Sequence, residues 1–180
     1  MNQERRTFMG RAAVLCAGTA LGAYTHRARA LSGAARELAF VHLHTGERLE
    51  LIYAADGRYM PEALASVNHF LRDHYSGEIG LIDPRLLDQL YEIRLSLGGD
   101  ARFLVISGYR CPATNAALRR RSAGVASNSL HMQGRAIDMR LEGVPLPELR
   151  DAALELKAGG VGFYPASNFV HVDTGRVRRW

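Results

Sequence analysis

The order of secondary-structure signals predicts an α+β fold: a compact single domain with a largely antiparallel sheet and flanking helices. Three observations carry this expectation. Period-2 alternation follows residue 36, helix-period segments with N-terminal caps come next, and short β-branched runs close the chain. With 47% hydrophobic residues, 180 residues suffice for one core. No internal repeat or linker divides the chain after residue 30.

From Glu37, "ELAFVHLHTGERLELIYAADGRY" alternates around "TGE" and predicts a hairpin of two strands. "PEALASVNHFLRDHY" then places Leu64, Val67 and Leu71 at helical spacing, so a helix is expected from about Pro61 to Tyr75. Asp83 has the side chain of an N-cap, Pro84 suits the first helical position, and Gly98 ends the segment "PRLLDQLYEIRLSLG". "RFLVISGY" reads as an inner strand. A short helix near Pro112 to Arg121 and a polar loop through Asn128 follow. Beyond them are expected a strand over Ala136 to Leu141, a helix from about Pro147 to Lys157, and closing strands "GVGFY" and "FVHVDTG".

Residues 1–30 read as a targeting segment. Arg5 and Arg6 precede Phe8 and a mild Ala/Gly-rich apolar run that ends at "ARA", the pattern of a cleaved twin-arginine signal. The expectation is export to the periplasm and a mature domain over 31–180. A Sec signal behind a chance basic N-terminus and a retained signal anchor are the alternatives. The run is too short and too rich in small residues for a membrane span, so no stable insertion is expected once it is removed.

The signal carries five of the 23 basic residues and one of the 18 acidic ones, leaving 18 against 17 in the mature chain. A net charge of about +1 gives no case for a nucleic-acid partner. Cys16 leaves with the signal, and Leu15 before it spoils a lipoprotein box. Cys111 then has no partner for an intrachain disulfide, so the fold must stand on its core.

The chemistry gathers in "SNSLHMQGRAIDMR" and "FVHVD". A catalytic zinc site uses three ligands from His, Asp or Glu and keeps a fourth position open. His131, Asp138 and His171 can supply that set. Alternation puts Ala136, Asp138 and Arg140 on one strand face and Phe169, His171 and Asp173 on one face of another. If the two strands are neighbours, Asp138 and His171 come within cross-strand reach, with Gly134 easing the return of His131. His42, His44, His69 and His74 read as surface residues, and His26 as part of the signal.

"SGYRCPATNAAL", "SLHMQGRAIDMR" and "GGVGFYPASNFVHVDTG" together resemble the motif blocks of the zinc D-Ala-D-Ala carboxypeptidase family, in its Tat-exported murein endopeptidase K-like branch. The blocks lie within residues 107–175, and residues 31–100 carry no matching motif. The resemblance implies Zn2+ held by His131, Asp138 and His171, peptidoglycan peptides as substrate, and the fold shared with the hedgehog signalling domain. The activity it implies is amide hydrolysis in murein stem peptides or cross-links, endopeptidase ahead of carboxypeptidase.

Such hydrolysis needs a base for the attacking water and a stabiliser for the oxyanion. Relatives often place Glu three residues before the last His, where this chain has Asn168. Asp173 is the substitute base, or else a carboxylate that orients His171. Arg110 resembles the family's substrate or oxyanion arginine, its other reading being a structural salt bridge. Ser107 and Ser129 are expected to hold turns, Cys111 to be a small buried packing residue, and Tyr109, Tyr164 and Trp180 to line a groove or enter the core. The departure at Asn168 leaves a second function open: a non-catalytic, zinc-containing murein or peptide binding module.

Overall fold

The structure, a computed structural model, describes residues 35–180 apart from residue 123. The signal read over residues 1–30 lies outside the described residues. Two strands, β1 (Arg36–His42) and β2 (Arg48–Ala55), form the expected hairpin, and a two-residue strand β3 (Arg58–Tyr59) extends it. Helices α1 (Pro61–Phe70) and α2 (Pro84–Ser96) precede the inner strand β4 (Phe103–Ser107). Helix α3 (Pro112–Arg121), a 3-10 turn at Leu130–Gln133, strand β5 (Ala136–Leu141) and helix α4 (Leu146–Leu156) follow. The chain closes with β6 (Gly160–Tyr164), β7 (Phe169–Asp173) and β8 (Arg178–Arg179).

The strands form one sheet in the order β3-β2-β1-β4-β5-β7-β6-β8. The α+β class holds, but the sheet is mixed and not largely antiparallel, because β1 pairs parallel with β4 and β6 with β8. The connection between β1 and β4 carries β2, β3, α1 and α2, long enough for the crossover that a parallel pairing requires. The short β8 is invisible to alternation, since two residues define no period.

Helix starts follow local chemistry. The Asp83 carboxylate accepts the Arg85 N–H at 3.0 Å and Pro84 opens α2. Helix α1 stops at Phe70, five residues before the expected end. Asp73 is the reason: its carboxylate accepts the N–H groups of Tyr75 (2.9 Å) and Cys111 (2.9 Å), drawing the backbone into a loop. Among the described residues, no helix is long and apolar enough to cross a membrane.

Helices α1, α2 and α4 cover one sheet face. Leu38, Phe40, Phe103, Val105, Ile137, Met139, Val170 and Val172 meet Phe70, Leu86, Leu90 and Leu149 there in one buried cluster. The pleat sends the alternate residues Asp138, His171 and Asp173 to the opposite face.

The same alternation corrects the reading of His42 as a surface residue. It shares parity with Leu38 and Phe40, so its ring lies in the core at 0% exposure, edge-on to Phe70. His74 lies beyond α1, half-buried, and stacks on His44; His44 and His69 are exposed as expected. Burial first, then the neighbouring imidazoles of His74 and His44, lower the His42 pKa from 6.5 to about 4, with Glu47 opposing and Arg72 adding to the shift. The unfolded chain therefore takes up a proton that the fold refuses between these values. The stability that His42 contributes is full above about pH 6.5 and falls by roughly 3 kcal/mol toward pH 4. Urea denaturation from pH 7 to 4 should record this slope, and His42→Phe should flatten it; an unchanged slope in that variant would assign it to another group.

Candidate metal centre

The centre forms where three local structures meet. Ser129 caps the 3-10 turn by accepting the His131 N–H at 3.4 Å, and Gly134 ends it in the left-handed region at φ 64°. A Cβ at Gly134 would lie 1.8 Å from the Leu81 carbonyl oxygen, so the position requires glycine for space as well as conformation. Strands β5 and β7 are antiparallel neighbours, with Asp138 directly opposite His171.

One ligand atom from each of His131, Asp138 and His171 lies within 4.8 Å of the other two, and all three residues are buried. Asp138 Oδ1 is 2.8 Å from His171 Nδ1 and 3.3 Å from His131 Nε2. Each imidazole is pinned from behind. His131 Nδ1 sits 2.7 Å from the Gly108 carbonyl oxygen, which can only accept, so the lone pair of Nε2 faces the cluster. His171 Nε2 sits 3.1 Å from Asp173 Oδ2, which leaves Nδ1 facing inward. Outer acceptors of this kind are what orient metal-ligating histidines.

The charges are strongly coupled. Burial pulls the His171 pKa down, but hydrogen bonds and charge from Asp138 and Asp173 raise it to about 9. Burial raises the Asp138 carboxyl, and His131 and His171 reverse this, holding it well below the usual carboxylate range. The donor set fits a borderline divalent cation such as zinc: two imidazole nitrogens, one carboxylate oxygen and one open side.

That side opens on a cleft of about 500 Å³ lined by Arg110, Asn128, Tyr164, Phe169, Arg178 and Trp180 among others. Arg110 Nη2 lies 3.9 Å from Asp138 Oδ2 and 3.3 Å from Ser107 Oγ, while Nη1 reaches Asn115 Oδ1 at 3.4 Å. Its backbone N–H donates to the His131 carbonyl, tying the "SGYR" turn to the 3-10 turn. Asp173 is 0% exposed behind the His171 ring, and both its oxygens are engaged.

Other candidates divide. Tyr164 and Trp180 line the cleft, joined by a 2.6 Å hydrogen bond. Tyr109 does not: its ring packs on Gly80 and its hydroxyl donates to Glu78. Cys111 is buried and caps α3 through Sγ, which accepts the Thr114 N–H. Asn168 occupies the β6–β7 turn at φ 54°, a conformation asparagine tolerates. Arg178 and Phe169 also line the cleft, Arg178 with no expectation from sequence and Phe169 with a strand face but no role expected of it. For Phe169, its place on the His171 face was the available signal; Arg178 lies in an arginine-rich end that resembles any solvated run.

The motif blocks, the fold and this constellation together define a peptidase of the zinc D-Ala-D-Ala carboxypeptidase-like class. Within it, the chain belongs to the peptidoglycan L,D-endopeptidase MepK family, whose family model matches residues 30–180. The peptidoglycan L,D-endopeptidase MepK of Escherichia coli (strain K12) is 50% identical over 146 residues, covering 81% of this chain and 80% of the relative. The probable peptidoglycan L,D-endopeptidase MepK of Haemophilus influenzae is 44% identical over 146 residues, covering 81% and 78%.

Proposed function

We propose that this chain is a zinc-dependent endopeptidase that hydrolyses L,D amide bonds in peptidoglycan peptides after twin-arginine export to the periplasm. The observation that carries the reading is the buried His131, Asp138 and His171 set at the floor of an open cleft, each histidine pinned by an outer acceptor. These three residues would hold the ion. Bound zinc would supply Lewis acidity toward a carbonyl oxygen and toward water. Asp173 is a positioning residue that aims His171, since its engaged oxygens and full burial leave no lone pair facing the cleft. Arg110 presents a guanidinium fork beside the cluster, suited to a tetrahedral oxyanion or a substrate carboxylate.

The choice of an acidic peptide is supported by charge placement. From Arg110 to Ile137 the sequence has no acidic residue but holds Arg110, Arg119, Arg120, Arg121 and Arg135; after Asp173 come Arg176, Arg178 and Arg179. Segments from both stretches wall the cleft. Of these arginines, Arg110 and Arg178 line the cleft directly, and Arg110, whose nearest carboxylate oxygen is 3.9 Å away, is the cation best placed to attract a carboxylate-bearing stem peptide.

One observation favours a non-catalytic binding module instead: among the described residues lining the cleft, Asp138 has the sole carboxylate side chain. Purified mature protein incubated with defined cross-linked muropeptides separates the two. Cleavage that a chelator abolishes and zinc restores is the expected result, whereas binding without cleavage in zinc-replete protein would establish the module.

A further inference from the structure

The last three residues of the chain reach the candidate metal centre through β8. That strand runs parallel to β6, with Arg178 beside Gly160. Arg178 Nη1 lies 3.0 Å from Asp173 Oδ1 and Nη2 lies 2.7 Å from Oδ2, a fork-to-fork pair. The Trp180 ring packs 4.6 Å from the same guanidinium and is anchored by Nε1 donating to the Tyr164 hydroxyl. The backbone N–H groups of Gly160 and Gly175 complete the cradle on Asp173 Oδ1, at 3.0 and 2.8 Å.

The facing strand is bare where this assembly needs room. A Cβ on Gly160 would come within 2.2 Å of Arg178 Nη1 and 2.5 Å of Asp173 Oδ2. One on Gly162 would come within 2.7 Å of Trp180 Cε2. Neither glycine has a positive φ, so space and not backbone conformation is what they provide.

We propose that Arg178, braced by Trp180, is a positioning residue for metal binding: it locks Asp173 in the one orientation that turns His171 Nδ1 toward His131 and Asp138. Without the fork, Oδ1 still holds the Gly160 and Gly175 N–H groups but Oδ2 keeps no partner except His171, and the carboxylate is free to swing about Oδ1. His171 Nε2 then loses its acceptor, and the imidazole rotates away from the other two ligands. The inference rests on the reading of the cluster as a zinc site.

Zinc competition between a chromophoric chelator and metal-stripped protein tests it, with melting of the metal-free variants as the folding control. Arg178→Gln should bind zinc roughly 10 to 100-fold more weakly, the usual effect of losing an outer partner of a metal ligand, and excess zinc should restore turnover. Gly160→Ala should act in the same direction through space alone, and it carries the test if Arg178→Gln does not fold. In an Asp173→Asn background, Arg178→Gln should add little, because the two act as a unit. Cobalt-substituted Arg178→Gln should show altered visible absorption bands, which a substrate-binding role would not produce. Wild-type zinc affinity in Arg178→Gln or Gly160→Ala, with only KM raised, would overturn the proposal and make Arg178 a substrate contact. Failure of the wild-type protein to bind zinc would instead overturn the metal-site reading beneath it.

Discussion

His171→Ala is expected to drop zinc content well below one ion per chain and to lower muropeptide turnover by on the order of 10³-fold or more, the several kcal/mol that a Lewis acid contributes. The residue stands at the centre of the cluster: its Nδ1 is 2.8 Å from Asp138 Oδ1 and 3.3 Å from His131 Nε2. Removing the ring leaves two donors, too few for a stable site of this type. His131→Ala and Asp138→Ala should behave alike. Wild-type affinity should itself depend on pH. His171 is raised to about 9, so a cation must displace its proton; affinity is therefore lost as pH falls below that value and gained as pH rises toward it. Elemental analysis of dialysed protein and chromatography of digested muropeptides measure both quantities. Full zinc occupancy in His171→Ala would exclude it as a ligand.

Arg110→Ala is expected to lower kcat by ~10² to 10³-fold with zinc retained, the scale of losing one oxyanion donor. Zinc should stay because Arg110 Nη2 approaches Asp138 only to 3.9 Å, beyond a hydrogen bond, whereas His131 and His171 hold that carboxylate more closely. Arg110→Lys keeps the charge without the fork and should recover part of the rate. A raised KM at unchanged kcat would show that Arg110 binds a ground-state carboxylate instead. Wild-type values of both constants would remove it from the reaction.

The elements that were legible from sequence are those with a local cause. Asp83 and Pro84 start a helix whatever surrounds them, and the alternation in "AIDMR" and "FVHVD" puts Asp138 and His171 opposite their apolar neighbours in any strand. His42 shows the limit of that reasoning. Polarity suggested solvent, but the parity of Leu38 and Phe40 was already in the same strand, and the pleat obeys position over side-chain chemistry. The end of α1 was illegible for a different reason: Asp73 finds its partner in Cys111, 38 residues away.

What the sequence by itself determined is the set of chemically capable residues, the face of the strand each occupies and the acid-free character of the segments beside them. These depend on residue type and short-range period, which the backbone imposes locally. Only the tertiary structure decided that β1 and β4 run parallel and that β5 lies beside β7 with Asp138 opposite His171. It alone placed Asp173 behind His171 and brought Arg178 onto Asp173 through a two-residue strand. Strand order and side-chain direction at a shared site follow from packing between segments that short-range periodicity does not relate, and the contact of Arg178 with the buried Asp173 forms only once β8 is laid beside β6.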